Sequence, residues 1–153
     1  MCLERCQQHS LRNKASRGHL TQSPLPHSHA QSLAEAEAYD GPLAVMITEP
    51  DGRTIRHVNR AWTALCGFLR EDSVGRSMGI IQGALTSRPV SKAIGQACRK
   101  GVPVEAYLVN YRADRTAFAN HVYAAPLAAD AGHGAPRCFM SVLEELRLPP
   151  TSL

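Results

Sequence analysis

The sequence predicts an α+β domain: a five-stranded antiparallel sheet with short helices gathered on one face. Three observations carry this. Two strand-like patterns come first, Leu43–Thr48 and Thr54–Asn59, and three more come last, Val104–Arg112, Thr116–Leu127 and Arg137–Leu143. Between the two groups lies a block of helical patterns. Runs of strands separated by a run of helices, rather than strict alternation, are the signature of an antiparallel sheet with segregated helices.

Taken in order, residues 1–31 are polar, rich in Ser, His, Gln and Arg, and carry no helix or strand period, so they read as a flexible tail, with at most a weak helix over Leu11–Leu20. Ser32 can cap a short helix over residues 32–40, SLAEAEAYD, whose residues have high helix propensity but which is too short to stand alone. Leu43–Thr48 is a strand, and Glu49-Pro50-Asp51-Gly52 is a tight turn that folds Thr54–Asn59 back on it as a hairpin. Asn59 caps a helix carrying Trp62, Leu65 and Cys66 on one face, and Gly67 ends it. A helical turn around Arg70–Val74 leads into the connector Gly75–Gly83, GRSMGIIQG. Pro89 suits the first turn of the next helix. Val90, Ala93, Ile94, Ala97 and Cys98 recur at three-and-four spacing, and Gly101 stops the run. Ala128–Pro136 is a long loop before the last strand, and residues 144–153 form a short extension in which the Pro149-Pro150 pair ends a helix candidate over Glu144–Leu148.

Composition excludes several classes. A chain of 153 residues, 44% apolar and 20% charged, fits one domain of ordinary globular make-up. The net charge of +4 is mild and its cations are scattered, so nucleic acid is not an expected partner. No apolar run approaches the length needed to span a bilayer. Five cysteines, with no secretory leader pattern, argue against a disulfide framework and for a cytoplasmic location. Cys2 and Cys6, or His27 and His29, are weak grounds for a metal site. Asp51, Glu71, Asp72 and Glu105 form no acid–base pair and no nucleophile–base spacing occurs, so no enzyme is expected; His57 and His121 read as ordinary strand residues.

The connector is the expected wall of any ligand pocket, with Gln82 as a polar group among Met78, Ile80 and Ile81. GRSMGIIQG at Gly75–Gly83 resembles the GRNCRFLQG motif of the light-oxygen-voltage (LOV) flavin photosensors, a subclass of PAS domains. NYRADRTAFAN at Asn110–Asn120 is similar to that family's NYRKDGTxFWN, and ITEPDG at Ile47–Gly52 and VNRAWTALCGF at Val58–Phe68 fit its first strands and helix. The resemblance covers Leu43–Leu143 and implies the PAS fold, with FMN or riboflavin stacked between sheet and helices. It implies that Asn110 and Asn120 bond the pyrimidine edge, that Gln82 lies near the ribityl chain and that Thr48 lines the pocket. Met78, Leu143, Ile81 and Phe118 complete the implied flavin-contacting set. An amide suits such an edge because it both donates and accepts. Without the family frame, two asparagines at strand ends can equally satisfy loop backbone.

The chain departs from the pattern at the ring and the phosphate. The adduct-forming cysteine falls at Met78, whose thioether has no proton to give. Cys66 and Cys98 lie on other helices and read as small buried hydrophobes. The glutamine that exchanges hydrogen bonds with the ring falls at Leu143, and the two phosphate-clamping arginines fall at Gly79 and Gly95; Arg76, Arg88 and Lys92 stay nearby. Ala119 and Arg115 replace the family's tryptophan and turn glycine. A bound flavin is then expected to fluoresce or be photoreduced rather than form the cysteinyl adduct. The alternative is a PAS interaction module with an empty or exchanged pocket. A homodimer through the sheet surface or flanking helices is expected, with Leu43, Val122, Tyr123 and Phe139 as candidate contacts or, alternatively, core residues, and the chain reads as either a short stand-alone sensor or a fragment passing its signal to a downstream protein.

Overall fold

The computed structural model describes residues 32–128 and 137–147. The expected tail over residues 1–31, its cysteine and histidine pairs, most of the long loop before the last strand and the end of the C-terminal extension lie outside the described residues. The strands are β1 (Ala44–Thr48), β2 (Ile55–Val58), β3 (Val104–Tyr111), β4 (Ala117–Pro126) and β5 (Phe139–Glu145). They form one sheet in the order β2-β1-β5-β4-β3, every pair antiparallel. The last strand therefore sits in the middle. This placement explains why β1 and the first five residues of β5 are buried without alternation: both strands are covered on both faces.

The helices are α1 (Leu33–Ala38), α2 (Arg60–Cys66), α3 (Arg70–Ser73) and α4 (Arg88–Lys100), with a 3-10 turn at Met78–Ile81. In α2 the Asn59 side chain accepts from the Trp62 amide at 2.9 Å, and Gly67 closes the helix at φ 77°, where a Cβ would be strained. Asn59 also accepts from Val45 N and donates to the Leu43 carbonyl, so one amide fastens the helix start to β1. Trp62 is fully buried in the core on this inner face of the sheet, with Ile55, Cys66, Ile94, Leu108, Phe118 and Phe139. Its burial alone removes enough apolar surface for about 4–6 kcal/mol of gross transfer free energy, an upper bound.

α1 goes to the other face. Ser32 Oγ accepts from Glu35 N and Glu35 returns a bond to Ser32 N, a capping box that starts a six-residue helix. Such a helix needs packing to persist. Ala36 supplies it, in a cluster with Val45, Ile47, Met140, Val142 and Leu127 on the outer sheet face. Two of the four candidate dimer contacts are thereby assigned to core packing. Val122 and Phe139 point inward to the helix-side core, and Leu43 packs with the cluster around α1; Tyr123 is half-buried.

The connector crosses the whole inner face, tied to both sheet edges. At its start Gly75 N donates to Ile55 O, Ile55 N to Arg76 O and Met78 N to Arg53 O, which seals the β2 edge. At its end Thr86 Oγ1 donates to Val109 O at 2.6 Å and Leu85 N to the Tyr111 hydroxyl, which covers β3. Both exposed strand edges are thereby blunted, and the 3-10 turn is held over the middle of the sheet.

Candidate functional site

Beneath the 3-10 turn lies a cavity of about 40 Å³. Its floor is the sheet: Met46 from β1, Leu108 and Asn110 from β3, Asn120 and Val122 from β4, and Ser141 and Leu143 from β5. Its roof is Met78, Ile81 and Gln82 with Ser91 and Ile94 of α4. Six of the eight candidate residues, Asn110, Asn120, Gln82, Met78, Leu143 and Ile81, therefore line one hollow.

The two asparagines meet because of the hairpin register. Asn110 stands opposite Phe118, and Asn120 opposite Leu108, so the amides are diagonal neighbours on one face. Asn120 Nδ2 donates to Asn110 Oδ1 at 2.8 Å, and Asn110 Nδ2 donates to the Ile81 carbonyl at 2.9 Å. The chain of bonds runs from β4 through β3 to the roof. Asn120 is 1% exposed and its Oδ1 has no partner. A buried acceptor left bare costs about 1–3 kcal/mol.

Thr48 and Phe118 are not part of the wall. Thr48 shares a face with Met46 but lies one pleat further along β1, opposite Phe139, where it is buried with Oγ1 unpartnered. Phe118 is buried, with the Arg112 guanidinium 4.6 Å from its ring centre. Gln82 is exposed, and its Nε2 donates to Ser91 Oγ at 2.7 Å. Ser141 and Ser91 also line the cavity and are invisible in the sequence: a lone serine on a strand or helix carries no signal before the elements are assembled.

A second hollow of about 280 Å³ adjoins the first and shares Met78, Gln82 and Ser91 with it. It is lined by Arg53, Lys92 and Arg99, with Ser77 and the backbone at Gly79 and Gly95. Arg76 and Arg88 do not line it. A larger open groove of about 600 Å³ lies between α1, α2 and α3, but it holds charges of both signs and none of the candidates. Burial pushes the Cys66 thiol up to about 12 and Cys98 up to about 11, so both are protonated and inert at neutral pH. Among the described residues no group of three or more His, Cys, Asp or Glu could hold a metal ion, and no helix is long and apolar enough to cross a membrane.

The fold and sequence have counterparts among known proteins. The chain is 33% identical over 85 residues to blue-light-activated histidine kinase 2 of Erythrobacter litoralis, covering 56% of this chain and 25% of the kinase. It is 28% identical over 93 residues to a blue-light photoreceptor of Listeria monocytogenes, covering 60% of this chain and 37% of that protein. The chain thus spans only 25% and 37% of the length of these two curated relatives. Among solved structures, the LOV domain of an Erythrobacter litoralis blue-light activated histidine kinase superposes with a TM-score of 0.64 at 29% identity, over 69% of this chain and 97% of that one. The Aureochrome1 LOV domain gives 0.62 at 26% identity, over 74% and 87%. The PAS domain family model matches residues 42–143, and the chain belongs to the PAS domain family.

Proposed function

We propose that residues 43–143 are a LOV-type sensory domain that takes a flavin ring non-covalently against the Asn110–Asn120 pair and signals without a cysteinyl adduct. The observation that carries this is the bare Oδ1 of Asn120 in the cavity wall. A buried acceptor kept without a donor is costly unless something supplies one. The imide N–H on the edge of an isoalloxazine is such a donor. The residues fit the group at this polar edge. They fit its bulk only after the walls spread, because about 40 Å³ is far below the roughly 300 Å³ or more that ring-sized ligands occupy. Met46, Met78 and Ile81 are the flexible or turn-borne walls that would move.

When bound, the flavin supplies blue-light absorption and redox change. The chain's own part is to orient and to exclude water. Asn120 fixes the ring edge, Asn110 ties that contact to the Ile81 carbonyl, and Leu143 gives β5 an apolar face. Ligand entry would therefore be felt in the roof through the Asn110–Ile81 bond and in the central strand through Leu143. Cys66 is buried in the core and protonated, and Met78 is a thioether, so neither forms an adduct.

A second reading, a ligand-free interaction module, is favoured by the small cavity. In either case a homodimer through the sheet would use the outer faces of β3 and β4, where the half-buried Tyr107 and His121 stack at 4.6 Å. An absorption spectrum of the freshly purified protein, with mass identification of whatever denaturation releases, tests the proposal. A flavin band that does not bleach reversibly supports it, and Met78→Cys should then introduce reversible bleaching. A protein that stays colourless after incubation with FMN and riboflavin excludes it and leaves the interaction module.

A further inference from the structure

We infer that Ser141 sets the ligand specificity of the cavity: its hydroxyl selects an isoalloxazine that carries an amino group at its benzenoid end over the ordinary dimethyl ring. The inference deepens the flavin reading above and rests on it.

The cavity has two polar ends, and the strand register sets them apart. Asn120 stands opposite Glu145, and Ser141 lies four residues before Glu145 on the neighbouring strand β5. The amide and the hydroxyl are therefore separated by about 14 Å along the strands. Phe139 and Leu143, two residues to either side of Ser141, both belong to the helix-side core, so Ser141 faces the same way. Asn110 stands opposite Phe118, two residues beyond Asn120 and further from Ser141. Both asparagines thus occupy one end, and Ser141, with Met46 opposite it on β1, occupies the other. Between them Leu143 and Val122, paired with each other, make an apolar floor. A tricyclic ring with its pyrimidine edge on Asn120 Oδ1 extends its benzenoid end toward Ser141.

Ser141 is 6% exposed, and among the described residues its hydroxyl takes part in no hydrogen bond. Its cross-strand neighbours on the same face, Met46 and Ala124, are apolar and offer it none. The other cavity hydroxyl, Ser91 Oγ, already accepts from Gln82 Nε2 at 2.7 Å. A buried hydroxyl without a partner is destabilising, and a small apolar residue would fit a strand at this position without that penalty. Ring methyl groups leave the hydroxyl bare. An amino group in place of a methyl is of similar size and donates to Ser141 Oγ. A site with a buried polar group discriminates strongly against a ligand that leaves the group unpaired.

The test titrates riboflavin, 8-aminoriboflavin and its 7-amino isomer, by calorimetry, into the wild type and into Ser141→Ala. At least one amino analogue should bind the wild type about fivefold or more tightly than riboflavin does. Ser141→Ala should abolish that preference while binding riboflavin as well as the wild type or better. The ligand-free variant should unfold at the same or a higher urea concentration, because it loses only an unpartnered hydroxyl. A lower midpoint shows that the hydroxyl serves the fold and overturns the inference. Equal affinity for all three ligands in the wild type, or a preference that persists in Ser141→Ala, overturns the inference and leaves the flavin reading standing. No binding of any of the three by folded wild type overturns the flavin reading and the inference with it.

Discussion

Replacing Asn110 and Asn120 by leucine should have unequal consequences for stability, although the two residues touch and are the same type. Asn110→Leu strands two buried groups, the Ile81 carbonyl and Asn120 Nδ2, each now bonded to Asn110. At about 1–3 kcal/mol for each of the two stranded groups, less about 1–2 kcal/mol regained from apolar burial, the variant loses about 1–4 kcal/mol. Asn120→Leu strands one group, Asn110 Oδ1, but also deletes Asn120 Oδ1, which has no partner to begin with. Those two terms offset, and the adjoining cavity of about 40 Å³ accommodates the larger side chain. That variant should stay within about 1 kcal/mol of the wild type. Urea unfolding of the ligand-free protein, fitted with a common m-value, reads the difference as a shift in midpoint. Equal losses for both variants, or a larger loss for Asn120→Leu, would refute the bond assignment and with it the claim that Asn120 is kept for a ligand rather than for the fold.

Three further predictions follow from single residues. Arg115 closes the β3–β4 hairpin at φ 70°, so Arg115→Gly should raise stability by about 1 kcal/mol in the same urea assay. Cys66 and Cys98 have folded values raised to about 12 and about 11; their contribution is therefore complete below the unfolded thiol value and is lost as pH rises, so stability should fall by up to about 1.4 kcal/mol per pH unit per thiol above pH ~9. Urea midpoints from pH 8 to 10.5 check this, and Cys98→Ala should flatten the slope. His57 is held below the ordinary histidine range by burial and then by Arg70, so the unfolded chain takes up its proton first as pH drops. Stability present above the unfolded value of about 6.5 should decline below it, and His57→Phe should remove that part of the acid dependence.

Much of the architecture was legible because local signals agreed. The Ser32 and Asn59 caps, and Gly67 and Gly101 as stops, all fall where helices begin and end. The strand pairing of β1 with β2 and of β3 with β4 follows from their short turns. The central position of β5 does not, since nothing local states which strands a distant segment separates. The same limit hid the seat of α1: Ala36 is a good helix former on either face, and only Val45, Ile47, Met140 and Val142 together make the outer surface it covers. At the site, Asn110 and Asn120 could be placed on one face from a ten-residue separation across a hairpin turn. Thr48 could not be placed, because one strand pleat, about 7 Å, decides between wall and flank. The meeting of Arg53 and Arg99 around the second hollow is hidden for an equally physical reason: it depends on Gly52 meeting Cys98, a contact between segments 46 residues apart.

The grip of the asparagine pair on a ring is tested most directly by titrating riboflavin, which carries no phosphate, into the wild type and into Asn120→Leu while following quenching of its fluorescence. Saturable quenching by the wild type, weakened at least about tenfold in a variant that unfolds at the same urea concentration, is the expected result. Unquenched riboflavin beside folded wild type, or equal binding by both proteins, would contradict it.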